Sequence, residues 1–361
     1  PAQPIEADGE FTVMVDYAGT PVPSASSVLG MDVPAGWVVT DDGSVTLDKP
    51  RGAASWFPCS DHPSDKATFA ISISVPEGIE VISNGIPDQP ASADGRTTWT
   101  WRTDEPMATA VVLVAIGQFT ITRSETPAGL PLVNAVDVEL SLSAGSVLDA
   151  QEDYLEALES WFGPYPFASA GAVVMGLPMD GPLASLVGPI ALDTQTRPVY
   201  LSGSTGPPRQ ALIHELAHQW AGNSVTPATW QDHWLNEAFA TYAQWLWAES
   251  TGASIDAVAR QNYEGFLRRA DDPAIPPAAT GPENLFADSV YVRGAMVMHL
   301  LRDQMGDDDF FAFVQAWMAD NAHSTVTTQL FMDTAQAYAV DDLQEIFDTW
   351  LFEPTPPGLD P

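Results

Sequence analysis

The chain has 361 residues, enough for two domains that each bury a core, and 45% hydrophobic with 17% charged residues mark it as globular. Thirteen basic against 48 acidic residues give a formal charge of −35, with Lys49 and Lys66 the only lysines, and such a surface repels nucleic acid and anionic lipid. No window approaches about 18 uncharged apolar residues, so no membrane-spanning helix is expected. The acidic residues are spread along the chain and read as solvated surface. They suit a secreted or extracytoplasmic, salt-exposed setting, with a cytoplasmic one left open. The chain opens on Pro1 without a leader segment, as a processed form or a fragment would. Cys59 stands alone, which excludes an intrachain disulfide, and between Pro58 and Ser60 it is expected to be a buried structural thiol.

Residues 9–122 read as β structure. Phe11–Tyr17, Ala67–Val75, Glu80–Ser83, Arg96–Arg102 and Ala110–Ile116 are strand-length runs between proline, glycine and turn residues, with Asn84-Gly85 and Asp94-Gly95 as tight-turn candidates. The pattern changes between about residues 126 and 143. From Ser146 it is helical, with Val147, Leu148, Tyr154, Leu155, Leu158, Trp161 and Phe162 at helical spacing. A strand-rich patch, Gly171–Tyr200, comes next. Gln210–Ala221 then suits a buried helix, stopped by Gly222-Asn223 with Pro227 beyond. A second buried helix runs from about Asp232 to Ser250 through Trp234, Leu235, Ala238, Phe239, Tyr242, Trp245 and Leu246. Residues 254–350 are mostly helical, with Val297–Met305 and Phe310–Met318 amphipathic.

The two buried helices carry the chemistry. His214-Glu215-Leu216-Ala217-His218 is an HExxH string, and 18 residues separate His218 from Glu237. Helical positions four apart differ by about 40° in azimuth, so both imidazoles leave the same face. Two neutral imidazoles and one carboxylate form a frequent zinc set that leaves a position open for water. Glu237 lies inside an apolar helix, where an unpaired carboxylate would cost several kcal/mol, and a metal partner accounts for it. Glu215, beside the first histidine, is free to act as general base. One Zn²⁺ per chain is expected, held by His214, His218 and Glu237.

The stretch from His214 to Tyr242 resembles the zinc region of the aminopeptidase N family of metallopeptidases, the gluzincins. The likeness extends through Trp56-Phe57-Pro58-Cys59-Ser60-Asp61-His62-Pro63-Ser64-Asp65-Lys66-Ala67, Ser83-Asn84-Gly85, Ala115-Ile116-Gly117-Gln118-Phe119, Trp161-Phe162-Gly163-Pro164-Tyr165-Pro166-Phe167 and the Y-x-x-G-A segment Tyr291-Val292-Arg293-Gly294-Ala295. It implies an α+β fold: an amino-terminal antiparallel β domain over residues 1–135, followed by a thermolysin-like, mainly helical catalytic domain with a small sheet over residues 136–361. Compared with the family, the β domain looks short at its start, and the large carboxy-terminal helical domain is missing.

The resemblance further implies a peptidase acting on peptide substrates, with Tyr291 stabilising the oxyanion. It places the binding of the substrate α-ammonium on the segment Leu177-Pro178-Met179-Asp180-Gly181, with Asp180 where the family has glutamate and Met179 beside it. Leu177 and Gly181 replace the family's glycine and asparagine. The shorter acid retracts its carboxylate by on the order of 1.5 Å, a displacement catalytic sites tolerate badly. The favoured reading is an aminopeptidase that removes amino-terminal residues from peptides, with an open-cleft endopeptidase of the same chemistry and an inactive binding scaffold as the alternatives. Asn236, next to the third ligand, is expected to orient it. His62, His233, His299 and His323 read as structural, and Glu249 and Glu264 as solvated helix carboxylates. The oligomeric state is not legible.

Overall fold

A computed structural model describes residues 9–28, 31–140, 146–176, 190–202, 208–269 and 274–359. Met179 and Asp180 lie outside them. The first sheet comprises β1 (Ser24–Val28), β2 (Met31–Val39), β3 (Ser44–Leu47), β5 (Glu80–Ser83) and β9 (Val114–Gly117), in the order β1-β2-β3-β9-β5 and antiparallel throughout. The second holds β4 (Ala70–Pro76), β6 (Ile86–Pro87), β7 (Ala91–Ala93) and β8 (Arg96–Arg102) around the long β4–β8 pair. Alternate side chains of the two sheets meet in one apolar layer. Val75, Val81 and Val114 are buried there against Trp37, Ile71, Ile73 and Trp99. Asp94 and Gly95 join β7 to β8 with φ of 51° and 72°, the two-residue turn that matches strand twist.

Two runs expected to be strands differ. Phe11–Tyr17 alternates as a strand would, but among the described residues it pairs with no strand, and Phe11, Val13, Met14, Val15 and Tyr17 are exposed. Alternation without a neighbouring edge to bond leaves the backbone unsatisfied as a strand. In Ala110–Ile116, residues Thr109–Val111 form a 3₁₀ turn, and pairing begins only at Val114. Asn84 accounts for this. It donates to the Val111 and Gln195 carbonyls at 3.1 and 2.7 Å and accepts from the Leu113 amide at 2.6 Å, taking the polar groups a strand would have used. Cys59 is only half-buried, and burial together with the neighbouring Asp61 pushes its thiol up to about 11.

A mixed sheet follows, in the order β10 (Phe119–Glu125), β11 (Pro131–Asp137), β12 (Ala170–Gly176), β14 (Val199–Ser202), β13 (Ile190–Leu192). β12 runs parallel to both neighbours, and six consecutive residues of it are buried, as in a strand covered on both faces. Residue 135, where the sequence reading ends the amino-terminal domain, falls within β11. Helix α1 (Gln151–Phe162) forms the crossover from β11 to β12.

The remaining described residues are mainly helical, with α2 (Arg209–Ala217), α3 (Trp234–Ser250), α4 (Ile255–Arg269), α5 (Asp288–Met305), α6 (Asp307–Asp320), α7 (Thr328–Tyr338) and α8 (Gln344–Phe347), beside a short parallel pairing of Thr226–Pro227 with Thr325–Val326. The helices and one face of the mixed sheet share a single aromatic-rich core, in which α3 is buried nearly all round from Trp234 to Leu246. Glu249 at the end of α3 is not simply solvated. It accepts two hydrogen bonds from the Arg302 guanidinium on α5, at 2.7 and 3.2 Å.

Candidate metal centre

Helix α2 brings His214 and His218 onto one face, but its regular turns end at Ala217, earlier than Gly222 suggested. The chain then passes through wide turns, with Asn223, Ser224 and Val225 donating to the carbonyls of His218, Gln219 and Trp220. The turn delivers the Ala221 carbonyl 3.1 Å from His218 Nδ1, which fixes that nitrogen as the donor and leaves Nε2 to face Glu237. Gly222 has φ +123°, and a Cβ there would come within 2.8 Å of Asn236 Nδ2. Glycine thus lets the turn after α2 lie flat on the start of α3, and Asn236 rests its amide against that turn.

The start of α3 is tied down by Asp232. It accepts from the Thr229 amide and hydroxyl at 3.3 and 2.8 Å, and from the Thr328 amide and hydroxyl at 2.7 and 2.8 Å. One turn later Glu237 is almost wholly buried. Its Oε2 lies 3.2 Å from His214 Nε2 and 3.3 Å from His218 Nε2. The three ligand atoms lie within 4.8 Å of one another. A tetrahedral ion bound at about 2.0–2.1 Å holds its ligands about 3.3 Å apart, so the two carboxylate–imidazole separations match a zinc site and the N, N, O donor set suits that ion.

Electrostatics agree with that reading. Burial would raise the Glu237 carboxyl, but His218 and Lys49 outweigh it and hold the group well below the usual carboxylate range. Burial would lower His218, yet Glu237 and Asp193 leave it raised, which marks the pocket as one that favours a cation. At Glu215 burial outweighs the neighbouring cations. Burial pushes its carboxyl up to about 8, opposed by His214 and helped by Asp193 and Glu237. A carboxyl brought near neutrality beside a metal set is matched to proton transfer.

Tyr291, on α5, stacks on His214 with ring centroids 6.1 Å apart and planes 27° from parallel. Burial, then Glu237, Glu215 and Asp193, raise its phenol well above its ordinary value, so it stays a donor. Gly294 puts it there. A Cβ at that position would meet the Ala238 Cβ at 2.9 Å, so only glycine lets α5 cross α3 this closely.

Around Glu237 the structure adds Lys49 and Asp193, and it brings in His233, which the sequence had marked as structural. His233 Nε2 is 3.1 Å from Oε1, one helical turn before the ligand. Lys49 Nζ donates to the same oxygen at 3.4 Å and to Asp193 Oδ2 at 2.6 Å. Asp193 follows β13 on the mixed sheet. A signal did exist, because the only two lysines of a strongly acidic chain fall within one short stretch.

The peptidase M1 N-terminal domain profile matches residues 43–111, and the peptidase family M1 domain profile matches residues 207–350. Glutamyl aminopeptidase of Rattus norvegicus is 26% identical over 333 residues, which cover 86% of this chain and 35% of that protein. Tricorn protease-interacting factor F2 of Thermoplasma acidophilum is 25% identical, covering 87% of this chain and 42% of that one. The chain thus spans about a third to two fifths of the length of these curated relatives. The crystal structure of an M1 zinc metallopeptidase from Deinococcus radiodurans superposes with a TM-score of 0.82 at 29% identity, covering 93% of this chain and 75% of that one. A variant of that protein, bound to a Tyr-Ser-Ala substrate, superposes equally well. The two profiles together take in more than half of the chain and meet at the site just described: the chain belongs to peptidase family M1.

Proposed function

We propose that this chain is a zinc-dependent aminopeptidase that removes amino-terminal residues from peptides. The observation that carries the reading is the convergence of His214, His218 and Glu237, with Glu215 and Tyr291 at the same point. The relatives named as aminopeptidases, and the solved neighbours bound to a peptide substrate or to L-arginine, support the substrate class.

His214, His218 and Glu237 would hold the zinc ion, which when bound would supply a Lewis acid to polarise the scissile carbonyl and to ease deprotonation of a water. Glu215 accepts the proton of the attacking water and delivers it to the departing amine. Its burial makes the carboxylate basic enough for the first transfer and acidic enough, once protonated, for the second. The Tyr291 hydroxyl donates to the oxyanion as charge builds on the carbonyl oxygen. His218 is kept in one tautomer by the Ala221 carbonyl, so its ligand nitrogen needs no reorganisation. We assign the grip on the substrate ammonium to Asp180, with Met179 beside it.

The test pairs aminoacyl anilides with amino-blocked, internally quenched peptides, each assayed with chelator and with zinc restored. Zinc-dependent cleavage confined to free amino termini is expected. Equal or better cleavage of blocked peptides would move the assignment to an endopeptidase, and full activity in chelator would remove zinc from it.

A further inference from the structure

Lys49 is a buried cation delivered to the metal centre by the other half of the molecule. It follows β3 of the amino-terminal sheets, yet its ammonium ends 2.6 Å from Asp193 on the mixed sheet and 3.4 Å from Glu237 on α3. All three side chains are less than one-tenth exposed. The two oxygens of Glu237 face different partners. Oε2 faces the two histidines, whereas Oε1 faces Lys49 and His233.

We propose that Lys49 is a positioning residue for the metal: it holds Glu237 Oε1 so that Oε2 stays on the His214–His218 side, and the zinc site is therefore built jointly by both halves of the chain. This inference rests on the zinc reading of the site, not on its substrate. A carboxylate on a helix can rotate about its terminal torsion, which is broad and two-fold. A donor on the far oxygen removes that freedom before the ion arrives, and such outer partners of metal ligands change affinity by about 10–100-fold. Charge points the same way. Glu215, Asp193 and Glu237 bring three carboxylates into one water-poor pocket, which a divalent ion and one ammonium balance.

A purely structural alternative is an ion pair in which Lys49 serves Asp193 alone. The variant that separates the two is Lys49→Met combined with Asp193→Asn, because it removes both charges, leaves no buried ion unpaired and keeps the side-chain volumes. Zinc affinity is measured by competition with a chromophoric chelator on the full-length chain, and folding is checked by the melting temperature of the zinc-free forms. The expected result is zinc binding weakened about ten-fold or more while zinc-free melting stays near that of the parent. Affinity within about two-fold of the parent overturns the proposal. The second variant, Asp193→Asn alone, keeps the contact from Lys49 to Glu237 and is expected to bind zinc within about three-fold of the parent. A loss there of ten-fold or more also overturns the proposal, since Asp193 rather than Lys49 would then carry the effect. Both readouts are independent of peptide hydrolysis, so they stand whether or not the chain proves to be an aminopeptidase.

Discussion

The helical half and the β half of this molecule contribute to one site in different ways. The helices supply groups at short, fixed spacing: two histidines four residues apart, a carboxylate one helix later, and a tyrosine seated by Gly294. The β half supplies two side chains, the only lysines in the chain, by reach across the seam. Lys49 enters the metal centre. Lys66 donates to the Asn223 and Ser224 carbonyls and the Thr226 hydroxyl, at 3.0, 2.8 and 2.9 Å, and so grips the turn that follows the zinc helix. The helices hold the reacting groups, and the β sheets hold the backbone and the ligand that orient them.

That division predicts that the largest losses of activity follow changes on the helices. Glu215→Gln keeps size and polarity but cannot accept the proton, and kcat/KM should fall on the order of 10²–10⁴-fold with zinc content unchanged. A folded, zinc-loaded variant hydrolysing at near the parent rate would remove Glu215 from the mechanism. Tyr291→Phe should cost about 10²–10³-fold, mainly in kcat, because the donor acts on charge present only in the transition state. A loss confined to KM would make Tyr291 a contact for bound substrate instead.

The acidity of Glu215 gives a third expectation. Burial pushes its carboxyl up to about 8 without metal, and a nearby divalent charge can only lower it. The base is active when ionised, so kcat/KM should fall about ten-fold per pH unit on an acid limb centred below pH 8. A flat profile from about pH 5 to 8, with zinc saturating, would show that no buried carboxyl titrates in the rate-limiting step.

The same division explains what could be read in advance. The spacing of His214 and His218 follows from helix geometry, and the interval to Glu237 belongs to the stretch that resembles the family's zinc region, so His214, His218, Glu215 and Glu237 were legible. Tyr291 was legible through its Y-x-x-G-A segment, and the structure gives the reason, since Gly294 is the close approach of α5 to α3. Lys49 and Asp193 were not, because they stand 144 residues apart and meet only when the sheets pack. His233 was read as structural, although it sits four residues before Glu237 on the same side. In the β half, alternation alone misread Phe11–Tyr17, since a strand exists only where a partner edge accepts its hydrogen bonds.

The seam at Lys66 can be broken separately. Burial lowers its ammonium from an ordinary 10.5 to about 7, and among the described residues no carboxylate pairs with it. Between those values the unfolded chain binds a proton that the folded protein does not, so this group makes stability rise as pH increases from about 7 towards 10. Lys66→Met should lower the melting temperature by leaving buried carbonyls without their donor, and it should abolish that part of the rise. A variant whose melting temperature keeps the parent's pH dependence would place the titration elsewhere.

Ionic strength gives the smallest effect and a last separation of seam from surface. At −35 the folded chain repels itself, and among the described residues the exposed pairs include those of Arg102 with Asp88 and of Arg260 and Arg268 with Glu264. Exposed pairs of this kind contribute little, whereas repulsion among the unpaired carboxylates acts over a Debye length of about 8–10 Å at 0.10–0.15 M salt. Raising salt from low to moderate strength at neutral pH should therefore raise the melting temperature of the parent. Buried contacts are screened far less, so the deficit of Lys66→Met relative to the parent should stay constant across the same range. If the parent's melting temperature is flat or falls, the surface carboxylates are already locally compensated, and the acidic excess carries no sign of a saline setting. If instead the deficit shrinks as salt is added, the Lys66 contact is open to solvent, and the two halves are joined more loosely than the three short hydrogen bonds imply.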